Sequence, residues 1–411
     1  MPKEISLDES QKEIDRFLKS KPKSKNRSAL TGGAAAAEAL RQINPDVMPV
    51  YPITPQTPIV EVFAKFQADR RVSTEIITVE SEHSAISACV GSSAAGARTV
   101  TATSSQGLAL MNEILYIASG LRLPILMIIS SRALSAPINI HGDHSDVMGA
   151  RDTGWIQIFS ENVQEIYDNT IIGMKLAEKA ELPAMAIMDG FITSHCVEDL
   201  ETLPDGKVRK FTGIYKPEKY LLDVKNPVTF GPVGLPDSYF EFKIDQEKAA
   251  RKAKDYYKKI TADFKKMSGR SYGLFEEYKI KGADYVVVVA GSTAGTAKEA
   301  VDRLRSQGRK AGLLKIKLFR PFPYEEIAKA LSGAKAIAVL DRAISFGSKP
   351  PLYQEVVNSM YQVSNINIAS YVYGLGGRDI FIKDIEKVFE DMIEGKISDK
   401  VRYLNCKARK C

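Results

Sequence analysis

The feature that most restricts the fold of this chain is a series of short apolar runs without polar alternation. Runs of this kind are typical of parallel strands buried on both faces, because a strand with one face in water alternates apolar and polar residues. Helical segments such as GLALMNEILYIASG and ENVQEIYDNTIIGMKLAEKAE separate the runs. The pattern predicts an α/β fold with a doubly wound, mostly parallel sheet over residues 29–205. Its predicted strands are PDVMPVYPI, EIITV, RTVTATS, LPILMIIS and LPAMAIMDGF.

The same alternation returns near Ala283 and predicts a second, smaller α/β domain over residues 281–400. Residues 206–280, between the two domains, begin with a stretch rich in Pro and Gly and form a predicted connector. The connector ends in a basic amphipathic helix, whose lysines lie opposite one apolar stripe. That stripe contains Ala249, Ala253, Tyr256, Ile260, Phe264 and Met267. A charged N-terminal arm, residues 1–28, and a basic tail, residues 401–411, flank these regions.

The composition argues against several functional classes. With 44% hydrophobic and 26% charged residues, the chain matches a soluble globular protein, and it has no apolar run of membrane-spanning or signal-peptide type. We therefore expect a cytoplasmic protein with no membrane partner. The net charge of +7 is 57 basic minus 50 acidic residues, without an aromatic-interleaved basic stripe, so no nucleic-acid partner is expected. The four cysteines form no C-x-x-C pair, so any iron–sulfur cluster must lie on another chain.

The stretch YPITPQTPIVE, residues 51–61, interrupts an apolar run with three prolines. Pro52 and Pro55 bias the residues before them away from the helical conformation, so the loop is stiff and extended. Thr57 and Pro58 suit the cap and the first position of a following helix. The hydroxyl of Thr54 is thus held in a fixed place, which fits either a ligand contact or a plain sharp turn.

Three further polar residues fall just after other predicted strands. Glu82 lies in the first turn of the next helix, Ser105 in the small-residue turn TATSSQGL, and Arg132 after LPILMIIS. Each has a structural alternative: an acidic residue favoured by the helix dipole, a compact turn, or a surface arginine. Doubly wound folds bind ligands at the carboxyl edge of the sheet, where such strand ends meet. We therefore predict that Thr54, Glu82, Ser105 and Arg132 converge there.

Other candidates are weaker on geometry. Glu80 and His83 flank Glu82, but one helical turn cannot aim all three side chains at one point. The cluster His141, Asp143, His144 and Asp146 could bind a metal, yet loop residues of these types more often bond the backbone of their own turn. The segments AGSTAGTAKEA and YGLGGRD fail the spacings of nucleotide-binding glycine loops, which favours tight strand-to-helix turns.

Several long motifs resemble the alpha subunit of the pyruvate:ferredoxin oxidoreductase family, which uses thiamine diphosphate to oxidise 2-oxoacids to acyl-CoA. The resemblance covers roughly Thr31 to Val388 and implies a pyrimidine-binding α/β domain followed by a transketolase-C-terminal-like domain. It departs from the family at the arm, residues 1–28, and at the alanine-rich helix after Thr31. The motifs are YPITPQTPIVE, ESEHSAISACVGSSAAGARTVTATSSQGLALMNE, SGLRLPI, RALSAPINI with DHSD, and LDRAISFG.

The resemblance also implies roles for residues. Glu82 corresponds to the glutamate that activates thiamine by hydrogen-bonding its aminopyrimidine ring. Thr54 and Arg132 correspond to the residues that contact the substrate, and the segment after Arg132 corresponds to a mobile loop near the reacting carbon. No residue is expected to bind a metal. The implied cofactor-binding residues are Pro52, Ile53, Thr54, Glu82 and Ser105.

The resemblance implies partners as well. A beta subunit would bind the diphosphate, Mg²⁺ and a proximal [4Fe-4S] cluster, while gamma and delta subunits would contribute CoA binding and further clusters that lead to ferredoxin. The motifs YPITPQTPIVE and RDTGW favour pyruvate as the substrate, with 2-oxoisovalerate and 2-oxoglutarate as alternatives. A transketolase-like subunit without redox chemistry and a non-catalytic scaffold are the remaining alternatives. The acceptor, the direction of the reaction and the subunit composition stay open.

Overall fold

The computed structural model describes residues 26–361, 366–398 and 400–407. Each apolar run predicted as a strand forms one, and helices separate the strands. The described strands are β1 (Arg27–Thr31), β2 (Val47–Val50), β3 (Glu75–Thr78), β4 (Thr99–Thr103), β5 (Ile125–Ser131), β6 (Ile156–Phe159), β7 (Ala184–Asp189), β8 (Val197–Glu201), β9 (Phe275–Tyr278), β10 (Tyr285–Ala290), β11 (Ala311–Ile316), β12 (Leu318–Arg320), β13 (Ala336–Asp341), β14 (Asn367–Val372) and β15 (Val401–Tyr403).

The described helices carry the connections between these strands. A short 3₁₀ turn covers Leu375–Gly377. No described helix has both the length and the apolar character that crossing a membrane requires. The α-helices are α1 (Gly32–Ile43), α2 (Thr57–Ala68), α3 (Glu82–Ala94), α4 (Ser105–Leu110), α5 (Asn112–Gly120), α6 (Ser145–Gly149), α7 (Val163–Ala180), α8 (Ile192–His195), α9 (Asp205–Thr212), α10 (Tyr239–Ser268), α11 (Thr293–Ser306), α12 (Tyr324–Leu331), α13 (Pro351–Met360) and α14 (Ile382–Ile393).

Two mostly parallel sheets form the body of the protein. The first has the strand order β12-β6-β7-β5-β4-β2-β3, and only β12 runs antiparallel to its neighbour. The second has the order β15-β14-β13-β10-β11-β9, in which only β9 is antiparallel. Strands β1 and β8 form a separate antiparallel pair. The predicted fold class, a doubly wound α/β sheet followed by a smaller α/β domain, is confirmed.

Three short strands cross the expected domain limits. Strand β12 follows β11 of the second sheet but pairs with β6, so it becomes the edge of the first sheet. Strand β9 lies in the predicted connector and β15 in the predicted tail, and both belong to the second sheet. Strands of three or four residues leave too short an apolar pattern to be recognised. Residues 1–25 of the predicted arm and 408–411 of the tail lie outside the described residues, and the domain limits stay predictions.

The predicted basic helix forms as α10 and packs against α7, in the core of the first domain. The buried tyrosine is Tyr257 rather than Tyr256, which lies at the margin of the apolar stripe. The opposite face is less solvated than expected. Lys254 contacts both Glu325 and Glu326 of α12 at 3.1 Å, and helix α10 therefore also contacts the second domain.

A buried ion network joins the two domains. Lys315 in β11 and Lys317 just after it contact Glu165, in the first turn of α7, at 2.8 and 2.5 Å. Lys315 also contacts Glu161 and, at 2.6 Å, Glu276 of β9. Burial alone would raise the pKa of Glu165, but Lys317 and Lys315 outweigh it and lower the pKa to about 2. The lysines thus neutralise a set of carboxylates that could otherwise hold a cation.

The network predicts a pH-dependent contribution to stability. We expect Glu165→Gln to lower the melting temperature at neutral pH, and the difference from wild type to narrow as the pH falls. A carboxylate with a depressed pKa stabilises the fold above its ordinary value of 4.5, and this stabilisation is lost toward about pH 2. Thermal melts from about pH 7 to about pH 3 would check this prediction. The control is Glu277→Gln, which changes an exposed carboxylate next to Glu276. A difference that stays constant over this range would contradict the prediction.

Candidate active site

The loop between β2 and α2 carries Thr54 at the carboxyl edge of the first sheet. Helix α2 begins at Thr57 and Gln56 precedes it, so the predicted cap at Thr57 is one residue too late. The reason is a turn that forms ahead of the helix, in which the amides of Gln56 and Thr57 donate to the carbonyl of Ile53 at 2.8 and 3.1 Å. The side chain of Gln56 accepts from the amide of Ile53 at 3.2 Å. This turn leaves Thr54 and Pro52 exposed and Ile53 half-buried.

Arg132 follows β5 and turns toward the same loop. Its Nη1 donates to the carbonyl of Thr54 at 2.9 Å, and its Nε donates to the carbonyl of Asn139 at 2.8 Å. The residue is only 6% exposed, and burial lowers its pKa. Nη2 donates to none of the described residues. Two backbone carbonyls therefore fix Nε and Nη1 of the guanidinium. Nη2 can still donate to a bound carboxylate.

Ser105 begins α4 and is linked to Arg132 through a buried carboxylate. Its amide donates to Oδ2 of Asp146 at 2.8 Å, and the amide of Arg132 donates to the same oxygen at 2.9 Å. The Ser105 hydroxyl donates to the carbonyl of Ala133 at 2.5 Å. With φ of 48°, Ser105 has a left-handed conformation that non-glycine residues rarely adopt. The first turn of α4 is thus tied to the segment that carries Arg132.

Glu82 is the first residue of α3, whose N-terminus is capped by the hydroxyl of Ser81. It is 7% exposed, and its carboxylate has no hydrogen-bond or ion-pair partner among the described residues. It lies against the first turn of α4, since a Cβ on Gly107 would be 2.7 Å from Oε1 of Glu82 and 2.4 Å from Oγ1 of Thr103. The Thr103 hydroxyl is itself buried and has no partner in the described part of the chain. A nearly buried carboxyl without a partner among the described residues therefore lies beside a buried hydroxyl.

The contacts bring all four predicted strand-end residues to one place. Arg132 bonds to Thr54 directly and to Ser105 through Asp146, and Ser105 starts the turn that packs on Glu82. The four residues come from the ends of β2, β3, β4 and β5, which are adjacent in the first sheet. The roles of these residues stay predictions.

The flanking candidates point elsewhere. Glu80 is exposed and accepts from the hydroxyl of Ser84 at 2.5 Å. His83 is largely exposed and lies 3.5 Å from the carboxylate of Glu113. Neither side chain contacts a predicted site residue, so Glu82 alone of the three turns inward.

The side chains of the four residues that could have formed a metal site each contact different partners. Asp143 accepts from the amide of Ser145 at 3.0 Å, as expected for a turn residue. His144 lies 2.7 Å from Asp189 in the domain interface, whereas Asp146 contacts Ser105 and Arg132. His141 instead stacks on a phenylalanine ring.

The glycine-containing motifs AGSTAGTAKEA and YGLGGRD both lie at the contact between the two domains. In AGSTAGTAKEA, the amide and the hydroxyl of Ser292 donate to Asp189 at 3.0 and 2.5 Å. Arg342, from the motif LDRAISFG, donates to the same carboxylate at 2.9 Å. The start of α11 thus receives a carboxylate of the first domain in the place where a phosphate loop would receive a ligand.

The turn YGLGGRD supports the loop after Arg132. Gly377 donates its amide to the carbonyl of Gly142 at 2.9 Å, and Asn139 donates to the carbonyl of Gly376 at 3.1 Å. A Cβ at Gly376 would be 2.4 Å from the Asn139 side chain, so only glycine permits this approach. Because Asn139 also accepts from Arg132, the second domain contributes indirectly to the position of the guanidinium.

Comparisons with known proteins agree with this architecture. The model of the thiamine-diphosphate-binding region of pyruvate flavodoxin/ferredoxin oxidoreductases matches residues 38–262. The model of core domain II of pyruvate:ferredoxin oxidoreductase matches residues 283–385. The chain belongs to the pyruvate:ferredoxin oxidoreductase family. The family predicted from the motifs is therefore confirmed, and the chain is an enzyme subunit of this family.

Individual relatives span nearly the whole chain. The pyruvate synthase subunit PorA of Thermotoga maritima is 54% identical over 382 residues, which are 92% of this chain and 97% of that protein. PorA of Methanocaldococcus jannaschii is 48% identical and covers 87% of this chain and 93% of its own length. The ketoisovalerate oxidoreductase subunit VorA of Pyrococcus abyssi is 42% identical, and the match covers 93% of this chain and 98% of that protein.

A solved structure shows the same fold at low sequence identity. The 2-oxoglutarate:ferredoxin oxidoreductase from Magnetococcus marinus superposes with a TM-score of 0.67 at 20% identity, over 94% of this chain and 70% of that chain. A split-gene transketolase superposes with a TM-score of 0.52 at 13% identity, over 89% of this chain and 99% of that chain. Both likenesses concern the fold.

The residues of the site fit the pyrimidine half of thiamine diphosphate. Burying an unpaired carboxyl is unfavourable unless a partner satisfies it, and Glu82 has none within the described chain. The buried Thr103 hydroxyl and Gly107, which has no side chain, pack directly against it. A bound heterocycle with a ring nitrogen would satisfy the Glu82 carboxyl.

Sequence reasoning missed Gly107, Thr103 and the role of Asp146. Gly107 lies in the small-residue turn, where its only signal was the general tolerance of glycine for close approach. In the sequence, Thr103 cannot be distinguished from any other residue of a buried strand. Asp146 was considered only as a metal ligand, because its partners are 14 and 41 residues away in the chain. Contacts over such distances are visible only in the folded structure.

Gly107 provides a test of the packing around Glu82. We expect Gly107→Ala to lower kcat/KM of the assembled enzyme about tenfold, because the new methyl group displaces the Glu82 carboxylate. The matched control is Gly91→Ala in the same helix as Glu82, where a Cβ meets no atom within 4 Å. Steady-state kinetics of both variants would decide, and an unaffected Gly107→Ala enzyme would contradict this packing.

Proposed function

We propose that this chain is the alpha subunit of a pyruvate:ferredoxin oxidoreductase, which converts pyruvate and CoA to acetyl-CoA and CO₂ and passes electrons to ferredoxin. The observation that carries the proposal is the nearly buried carboxyl of Glu82 at the carboxyl edge of the first sheet, which has no partner among the described residues. The 54% identity to a pyruvate synthase subunit over nearly the full length supports it. A scaffold protein would have no use for an unsatisfied carboxyl there.

The chain's own residues then have distinct tasks. Glu82 holds a proton at the ring nitrogen of the aminopyrimidine, and Thr103 and Gly107 shape the space beside it. Nη2 of Arg132 pairs with the carboxylate of the 2-oxoacid, and the hydroxyl of Thr54 donates to its carboxylate or oxo oxygen. When bound, thiamine diphosphate supplies the electron sink for decarboxylation, which the protein orients and tunes.

The remaining parts of the enzyme would come from partner chains. Cys89 is buried in α3 and Cys196 is exposed directly after α8, so the described free cysteines offer no cluster site. We place the diphosphate site, Mg²⁺ and the [4Fe-4S] clusters on beta and gamma/delta subunits, and CoA binding with them. The complex would act in the cytoplasm.

Pyruvate is favoured over the other 2-oxoacids. Arg132 is the one cation among the predicted site residues, whereas 2-oxoglutarate carries a second carboxylate. The identity to PorA of Thermotoga maritima exceeds that to VorA of Pyrococcus abyssi, 54% against 42%. A branched-chain 2-oxoacid is the second candidate, because VorA relatives also match 93% of the chain.

The test is anaerobic reduction of a viologen dye by the assembled complex in the presence of CoA. Pyruvate, 2-oxoisovalerate and 2-oxoglutarate are compared by kcat/KM. We expect pyruvate to give the highest value. A clear preference for another 2-oxoacid would change the substrate, and a complex that reduces the dye with none of them would refute the proposed function.

A further inference from the structure

Asp146 is a buried carboxylate that the proposed chemistry does not use directly. It lies in the short helix α6, is 3% exposed, and accepts four hydrogen bonds. Oδ1 accepts from the hydroxyl of Ser131 at 2.6 Å and from the amide of Val147 at 2.7 Å. Oδ2 accepts from the amides of Ser105 and Arg132 at 2.8 and 2.9 Å. One side chain therefore joins the end of β5, the start of α4 and the loop after Arg132.

The groups joined in this way lie on two sides of the candidate site. The segment after β5 carries the Arg132 guanidinium, which reaches the carbonyl of Thr54. The start of α4 leads within two residues to Gly107, which packs against Glu82. The left-handed conformation of Ser105 is unfavourable by itself, and the hydrogen bond to Asp146 holds its amide in place.

We propose that Asp146 is a positioning residue, which sets the distance between the Arg132 guanidinium and the Glu82 side of the site and thereby the affinity for the 2-oxoacid carboxylate. The inference deepens the proposed function and rests on it for the identity of the ligand. Only an ionised carboxylate can accept all four bonds, because an asparagine amide nitrogen accepts none.

The charges around Asp146 agree with a functional rather than a stabilising role. Burial raises its pKa to about 6, although its bonds to Ser131, Arg132 and Ser105 oppose the rise, and nearby Asp143 adds to it. Arg132 is the cation that faces it. A raised carboxyl pKa means that the ionised form lowers the stability of the fold at neutral pH, with the loss complete above about pH 6. The charge is kept although the fold alone would favour a neutral group.

The test compares Asp146→Asn with wild type in the assembled complex. We expect amide hydrogen exchange to rise about tenfold in peptides that cover residues 104–108 and 130–134. The KM for pyruvate should rise about tenfold, with kcat changed less than about threefold. In wild type the KM should also rise below about pH 6, and this rise should be absent from Asp146→Asn.

Asp341 offers a matched control, since it is equally buried and accepts the amides of Leu352 and Tyr353 at 2.7 and 3.0 Å in the second domain. Asp341→Asn should change neither the amide exchange of residues 104–108 and 130–134 nor the KM for pyruvate. If Asp146→Asn does not assemble, Ser131→Ala leaves the three amide hydrogen bonds of Asp146 and removes one hydroxyl, which contacts both Asp146 and the carbonyl of Asp143 at 2.6 Å; it should raise KM about threefold.

The outcomes separate the two proposals. Unchanged exchange in both segments, or an unchanged KM in an active Asp146→Asn or Ser131→Ala enzyme, would overturn the role of Asp146. A wild-type complex that oxidises no 2-oxoacid would refute the proposed function instead, and amide exchange alone would then decide whether Asp146 holds the two segments together.

Discussion

Glu82→Gln is expected to reduce pyruvate-dependent dye reduction at least a hundredfold while the complex still assembles. Glutamine has nearly the same shape and can occupy the space beside Gly107, but it cannot hold or release a proton at the aminopyrimidine nitrogen. Because the Glu82 carboxylate bonds to no described residue, its replacement should not loosen the fold. The rate of viologen reduction, with the melting temperature as a check on folding, measures both effects.

The control for this variant is its exposed neighbour. Glu80→Gln changes a carboxylate on the same segment, whose side-chain partner among the described residues is Ser84, outside the site. It should keep nearly full activity. Equal activity of the Glu82 and Glu80 variants would show that the carboxyl at position 82 has no part in the reaction.

Arg132→Lys is expected to raise the KM for pyruvate about a hundredfold, with a smaller loss in kcat. The guanidinium bonds to two backbone carbonyls and still presents Nη2 to the substrate, whereas an ammonium group is a point charge without that fork. A lysine that bonds to the carbonyls of Thr54 and Asn139 would be drawn away from the substrate. Steady-state kinetics over a range of pyruvate concentrations measure the change.

Arg122→Lys is the matched control for this variant. Arg122 also donates to two backbone carbonyls, those of Glu181 and Ala180, at 2.9 and 3.0 Å, but outside the predicted site. Its substitution should leave the KM unchanged. A similar rise in both variants would indicate a general effect on the fold, and no rise in Arg132→Lys would remove Arg132 from substrate binding.

Much of the fold was predictable because it follows from local patterns. The long buried strands β5, β7 and β10 appear in the sequence as continuous apolar runs, and helix α10 appears as a four-and-three spacing of apolar residues. Strand β12 was not predictable, since its three residues carry no period and its pairing with β6 depends on how the domains pack. The same is true of β15, which completes the second sheet from within a basic segment.

The candidate site was partly predictable for a related reason. Parallel strands bring their carboxyl ends to one edge, so Thr54, Glu82, Ser105 and Arg132 could be placed together from strand order alone. The contacts of Asp146 could not be predicted, because two of them are to backbone amides that any residue could provide. A carboxylate that accepts mainly from backbone amides leaves no sequence pattern in its donors.

The most direct test of the central claim is the exchange of the thiazolium C2 proton of thiamine diphosphate with deuterium in the assembled complex, followed by quenched-flow NMR. We expect exchange in wild type and Glu80→Gln to be faster than in the free cofactor by at least about a hundredfold, and Glu82→Gln to return it nearly to the free rate. Fast exchange in Glu82→Gln would contradict the assignment of Glu82 and with it the proposed role of this chain.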